Sequence, residues 1–324
     1  MKNKDIAKAL NISPSTVSKA LNGAFDISDE TRKMVLDYAY NNGYKTKDER
    51  IYTKKKRKLA FIFDNVTSLR QSNIFSFISM AFEKNAYKNN FEVINIHAND
   101  VTPSYDEFIE ANNFDGAFIC GLNKSSKLLR QIATTEVPTI LYDNTLEGKK
   151  ISTICSENIE TIKELVIMLA DTGATRIGFI HGDTDSQVAN ERFAGYIIGL
   201  HKAKLKFDDD LVIYGSFDEK SGREAAKKLL AANCDAIVAS SDLIAIGVIR
   251  ELTENQVQIP KQIQVAGYDD IDISSYITPS LTTVRQQFEQ IGEKAFTMLL
   301  SLFNNRLPQH IIVKGEIIKR QSTK

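Results

Sequence analysis

The spacing of apolar positions divides the chain into three stretches. Over the first forty-five residues it is helical. Ile6, Ala7 and Leu10 share one face of a helix expected from about Lys4 to Leu10, with Asn3 as its N-cap and Asn11-Ile12 as the following turn. Ser13 then caps a second helix whose first position is Pro14, where a missing N–H does no harm. Val17, Ala20 and Leu21 form its inner face, and Asn22-Gly23 ends it. Ser28 caps a third helix, Asp29 and Glu30 suit its positive end, and Gly43 stops it. Its apolar positions are Val35, Leu36, Tyr38 and Ala39. Two helices across so short a turn, braced by a third, predict a helix-turn-helix head.

From Leu59 the pattern switches to short apolar runs alternating with helical-period segments. The runs are 59–63, 91–96, 116–120, 138–142, 176–180, 211–214, 236–239 and 264–267. Near-continuous apolar strands separated by helices predict parallel sheets covered on both faces. Two such series predict two doubly wound subdomains, with ligands received at the carboxyl ends of the strands, in a cleft between the lobes. The expected divisions are a head at 1–46, a basic linker at 47–58, and a two-lobed body at 59–324. Within the body, an N-subdomain takes about 59–156 and 286–314, and a C-subdomain takes about 157–285 and 315–324.

Charge sharpens this division. The chain is neutral overall, but residues 1–58 hold 14 Lys and Arg against 7 Asp and Glu, and the remainder 27 against 34. A basic head on an acidic body is the footprint expected for a polyanion, although Lys54-Lys55-Lys56-Arg57-Lys58, a solvated run, supplies much of the excess. Cys120, Cys155 and Cys234 lie far apart in or beside apolar stretches and are expected as buried thiols, and the four histidines show no metal-ligand spacing. Neither a secretion signal nor a membrane span is expected, which points to a cytoplasmic protein without cofactor or metal.

On the second helix the outward residues Pro14, Ser15, Thr16, Ser18 and Lys19 are small or cationic, as entry into a major groove requires. Lys19 can donate to guanine O6 or N7, Ser15 and Thr16 can reach a base edge or phosphate, and Ser13 and Ser18 suit phosphates. A three-helix module that binds protein has the same composition. The run Lys4-Asp5-Ile6-Ala7, then Asn11 to Gly23 (NISPSTVSKALNG), then Ile27 to Val35 (ISDETRKMV) and Gly43-Tyr44, resembles the DNA-binding head of the lactose-repressor (LacI/GalR) family. The resemblance implies that Pro14, Ser15 and Lys19 read bases and that Asn22, Thr31 and Tyr44 anchor phosphates. In the linker it weakens. The family's proline, its Ala-Arg pair and its wedging leucine are missing, and Thr53 stands where the leucine would be. Ile51 or Tyr52 could act as a wedge in the minor groove, or the segment could be a basic tether.

The body is similar to the same family, whose sensor resembles a periplasmic sugar-binding protein. The matching segments are Val137 to Asp143, Thr172 to Ile180, Glu191 to Tyr196, Ala239 to Gly247 (with Ser241 in place of asparagine), Val265 to Asp270 and Pro279 to Val284. A guanidinium and a carboxylate can together grip vicinal hydroxyls. Arg192 and Asp269 are the expected pair, Asp143 and Ser241 further polar groups, Phe217 a stacking face, Phe288 a wall and Phe75 the other lobe's cover. For each, a structural role such as a surface ion pair or a helix cap is the alternative.

Phosphate-cradling, dinucleotide and nucleophile-elbow motifs are missing from the sequence, and the carboxylate clusters at 208–210 and 269–270 have no histidine nearby. The expectation is therefore a non-enzymatic transcription regulator, by resemblance a repressor. It would act as a homodimer on a pseudo-palindromic double-stranded operator, controlled by a small effector (a sugar or sugar phosphate) between the lobes, with no tetramerising tail. A stand-alone extracellular sugar-binding protein is the other reading.

Overall fold

The computed structural model describes residues 3–21, 27–42, 56–64 and 74–324. The chain forms two compact units, Met1–Lys56 and Arg57–Lys324. Asn22, Tyr44 and most of the linker lie outside the described residues.

In the first unit, helices α1 (Asn3–Ala9), α2 (Pro14–Leu21) and α3 (Asp29–Asn41) enclose a small core of Ile6, Ala7, Val17, Ala20, Val35 and Ala39. Asn3 is part of α1 rather than its cap. Asn11 turns the chain at φ 51°, a left-handed conformation that asparagine tolerates. Ser13 Oγ accepts the Thr16 N–H at 3.0 Å, and Ser28 Oγ accepts the Thr31 N–H at 3.2 Å, so both expected serine caps form. Leu36 stays partly exposed, whereas Val35 and Ala39 on its neighbouring turns are buried.

The second unit runs β1 (Arg57–Phe63), α4 (Ile74–Lys88), β2 (Phe91–His97), α5 (Tyr105–Ala111), β3 (Gly116–Cys120), α6 (Lys127–Ile132), β4 (Thr139–Tyr142) and β5 (Ile151–Ser156). It then crosses to α7 (Ile159–Asp171), β6 (Ile177–His181), α8 (Gln187–Lys202), β7 (Val212–Tyr214), α9 (Glu219–Ala231), β8 (Ala236–Ala239), α10 (Asp242–Glu254), β9 (Gln264–Ala266), α11 (Ile273–Tyr276) and β10 (Thr283–Arg285). The chain returns as α12 (Phe288–Phe303) and β11 (His310–Val313), and β12 (Glu316–Ile318) pairs antiparallel with β10.

Among the described residues the first lobe holds a six-stranded parallel sheet in the order β11-β5-β4-β3-β1-β2, and the second a four-stranded parallel sheet, β7-β6-β8-β9. The inner strands are buried because helices cover both faces: β3 and β6 are buried along their whole length, whereas the outer strands β2, β7 and β11 are partly exposed. Each sheet has an apolar cluster on either side, one containing Phe61, Phe82, Phe118 and Phe296 and the other Ile62, Tyr105 and Ile119 in the first lobe. The chain crosses between lobes three times, near residues 156–158, 285–288 and 313–316. The three cysteines are free and buried.

Candidate functional site

On the head, the cap residue Ser13 and Pro14, Ser15 and Lys19 on α2 are exposed, and Thr16 and Ser18 are half-buried. The Ser13 hydroxyl is committed locally: besides capping α2 it lies 2.6 Å from Ser15 Oγ and 2.8 Å from Thr16 Oγ1. Thr31 Oγ1 lies 2.8 Å from Ser28 Oγ at the start of α3. Asn22 and Tyr44 fall outside the described residues.

In the second unit the carboxyl ends of the strands of both lobes face one cavity. It is lined by Phe75, Asp143, Arg192, Phe217, Ser241 and Asp269 from among the expected residues, and also by Asn123, Tyr142, Asp183, Gln187 and Gln286. The space open to the centres of water-sized molecules is about 90 Å³.

Arg192 projects from α8 and is 3% exposed. Its Nε donates to Asn158 Oδ1 at 2.9 Å, its Nη1 donates to the Ser240 carbonyl at 2.7 Å, and its guanidinium lies 3.7 Å from the Tyr268 ring centroid. Nη1 is 3.8 Å from Asp269 Oδ1, an ion pair without a fork, because two guanidinium nitrogens are already committed to the frame. Asp269 accepts from Gln286 Nε2 at 2.7 Å, and Gln286 Oε1 in turn accepts from Tyr142 Oη at 2.9 Å. Asp143, at φ 60°, accepts the Ser156 N–H at 3.3 Å. Asp269 sits at φ 122°, sparsely populated for a non-glycine residue, and its own N–H is held by the Val284 carbonyl at 2.8 Å.

Burial sets the protonation of these acids. It pushes Asp143 up to about 7 and Asp269 up to about 6, with Arg192 the main opposing influence on both. Asp242, fully buried behind the cavity wall, is pushed up to about 8 by burial and by the charge of Asp269. It accepts from Ser274 Oγ at 2.6 Å, from Thr283 Oγ1 and from the Ile271 N–H at 3.0 Å, so it ties α10 to the loop before α11. Ser241 lines the cavity and also caps α10 through the Ile244 N–H.

The two phenylalanines enter over glycines. A Cβ at Gly121, where φ is +77°, would stand 2.6 Å from the Phe75 ring, and one at Gly182 would stand 2.3 Å from the Phe217 ring. Each glycine directly follows the strand (β3 or β6) that opens onto the cavity. Phe288 is placed elsewhere. At the start of α12 it stacks on Phe77, with ring centroids 6.4 Å apart and planes 6° apart, and lines an outer groove with Met80, Asp270 and Arg285. The turn from β10 into α12 carries Gln286 inward and Phe288 outward, so Gln286 takes the place expected for Phe288 beside Asp269.

A helix-turn-helix head on one chain with a two-lobed, doubly wound domain is the build of a DNA-binding transcription regulator. Residues 3–47 match the family of bacterial regulatory proteins called the lacI family, and residues 166–323 match the periplasmic binding protein-like domain. The chain therefore carries a lacI-family DNA-binding head and a periplasmic binding protein-like domain, and it is a DNA-binding transcription repressor, not an enzyme. It is 26% identical over 333 residues to the HTH-type transcriptional repressor PurR of Pasteurella multocida (strain Pm70), covering 99% of this chain and 98% of that one. It is 27% identical over 328 residues to the HTH-type transcriptional regulator MalR of Clostridium butyricum, covering 98% of each. In fold it is similar to a transcriptional regulator CelR–cellobiose complex, with TM-score 0.76, 23% identity and 99% of both chains covered. A LacI family regulator from Enterococcus faecium with bound ribose gives TM-score 0.72, 22% identity, and 82% and 98% coverage. No helix among the described residues is long and apolar enough to cross a membrane.

Proposed function

We propose that this repressor binds a pseudo-palindromic operator as a homodimer and that a sugar held between the two sensor lobes controls its affinity for that operator. The observation that carries the proposal is the buried Arg192–Asp269 pair, set beside Asp143 and between Phe75 and Phe217 at the carboxyl ends of both sheets. Carboxyls accept from hydroxyls, the remaining guanidinium nitrogen Nη2 donates to them, and aromatic faces cover the apolar side of a sugar ring. Among the described lining residues three carboxyls face one guanidinium, which favours a neutral sugar over a sugar phosphate. Sugar-bound relatives of the same fold support this reading.

On DNA, α2 enters the major groove of each half-site. Pro14, Ser15 and Lys19 meet base edges, and Ser13, Thr16, Ser18, Asn22, Thr31 and Tyr44 serve the backbone. Lobe closure on the sugar changes the spacing of the two heads, so sugar and operator act on one two-state equilibrium. Relief of repression is the direction we propose. A corepressor would use the same geometry with the opposite preference.

Selection of bound duplexes from a random pool, at stated salt, with and without a panel of sugars, tests this. A recovered palindrome whose retention one sugar changes supports the reading. Salt-sensitive retention without any motif would overturn it.

A further inference from the structure

The cavity's inner side is formed where the chain crosses between lobes, with Gln286 and Asp269. Its outer rim is crossed by a second set of contacts. The loop after β3 meets the loop after β6: the Lys124 N–H donates to the Asp185 carbonyl at 3.0 Å, and the Ser125 N–H donates to the Asp185 carboxylate at 3.2 Å. The Ser125 hydroxyl donates to the same carboxylate. Beside them Asn123 Nδ2 donates to Asp183 Oδ2 at 3.4 Å. The loop after β4 joins the same rim, where the Thr145 N–H donates to Gln187 Oε1 at 2.9 Å and Gln187 Nε2 donates to Thr145 Oγ1 at 2.8 Å.

This clasp reaches the guanidinium. Gln187 Nε2 also donates to Glu191 Oε1 at 2.7 Å, Asn158 Nδ2 donates to Glu191 Oε2 at 2.8 Å, and Asn158 Oδ1 accepts from Arg192. A ligand seated on Arg192 and the closure of the rim are therefore parts of one hydrogen-bonded system.

The size enclosed is small. Taken as a sphere, the space open to water centres has a radius of about 2.8 Å, and a water radius added all round gives roughly 300 Å³, the lower end of small-molecule sites. A second sugar ring would have to leave through the rim, between Asn123–Ser125 and Asp183–Asp185.

We infer that the clasp of Ser125, Thr145, Asp185 and Gln187 is a size filter, and that the effector is a single-ring polyol over which it closes. This rests on the sugar-effector reading above. Asp185 does not line the cavity, so it acts on the ligand through closure and is a specificity-determining residue without being a contact.

The test is calorimetric titration of the full chain, and of its Asp185→Ala variant, with ribose, glucose, galactose, mannose and fructose and with maltose, cellobiose, lactose and sucrose. In the unsubstituted chain at least one monosaccharide binds about thirtyfold or more tighter than any disaccharide. In Asp185→Ala that monosaccharide weakens about tenfold while disaccharides do not weaken, so the gap closes to a few-fold. Ser125→Ala, which deletes one exposed hydroxyl, shifts the gap in the same direction by about threefold and covers a failure of the first variant to fold. A disaccharide binding as tightly as any monosaccharide, or a gap unmoved in both variants, overturns the size filter and leaves the sugar reading standing. Binding of no sugar of either size overturns the sugar reading and the filter with it.

Discussion

Replacing Arg192 by alanine removes a cation that serves both the cleft and the fold. Its loss leaves the Asn158 side-chain oxygen and the Ser240 carbonyl without their donors, strips Asp269 of the charge 3.8 Å away, and uncovers the Tyr268 ring. Breaking a buried ion pair by removing one partner destabilises by about 3–5 kcal/mol. Part of this is offset, because Asp269 and Asp143, already raised by burial, take up protons once their counter-charge is gone. A net loss of about 3 kcal/mol is expected, which for a domain of this size lowers the melting temperature by roughly 6–12 °C. Arg192→Lys keeps the charge but cannot reach both Asn158 and Ser240 in the same plane, so it should fall between. Differential scanning calorimetry at pH 7 measures the loss. Below its melting point the alanine variant should still bind operator while no longer answering the sugar. A melting temperature within about 2 °C of the parent's would refute the reasoning, since two orphaned acceptors and carboxyls that must take up protons to stay buried together cost more than that.

Other perturbations follow from the same geometry. Gly182→Ala drives a methyl group into the Phe217 ring, a flexible neighbour that can swing aside; sugar affinity should fall about tenfold or more while melting moves little, and an unchanged affinity in titration would sink the stacking role. Asp242, Asp143 and Asp269 have folded pKa values above their unfolded value of 3.8, so each binds more protons folded than unfolded. Their contribution is full below the unfolded value and is lost as pH rises through about 6 to 8. Urea midpoints should therefore decline from about pH 6.5, above the depressed His181, to about pH 8, and a rising midpoint would contradict the assignment. Lys19→Ala should weaken specific binding by about 1–3 kcal/mol and relax one base position; equal loss on specific and random duplexes, read by fluorescence anisotropy, would remove its base-reading role.

The sequence made the covered strands legible because parallel strands with helices on both faces are apolar throughout, and all eight expected runs contain a strand. It hid β5, where Ser152, Thr153 and Ser156 interrupt the pattern. Those residues are buried all the same, since Ser152 Oγ accepts the Gln309 N–H at 3.0 Å and Thr153 Oγ1 lies 2.6 Å from His310 Nδ1. The three-residue ladder of β10 and β12 is too short to carry a period. Arg192, Asp269 and Asp143 could be picked out because they sit in motifs of the resemblance. Asn123, Asp183 and Gln286 in loops and Gln187 at the start of α8 were harder to pick out, being polar residues brought together from distant segments by the strand ends. Asn123 and Asp183 do carry one usable signal, a place two or three residues beyond an apolar strand and just after a glycine. Phe288, expected as a wall, faces an outer groove instead, because the sequence does not say which way the first turn of α12 faces.

The central claim is that one equilibrium joins the cleft to the DNA head. It is tested most directly by measuring the coupling from both ends, with a selected operator and the sugar that binds best. Operator affinity is measured with and without saturating sugar, and sugar affinity with and without saturating operator. Thermodynamic linkage requires the two ratios to be equal, and the account predicts a common factor of about 5–150. Ratios of one at both ends, with both ligands bound, would contradict it.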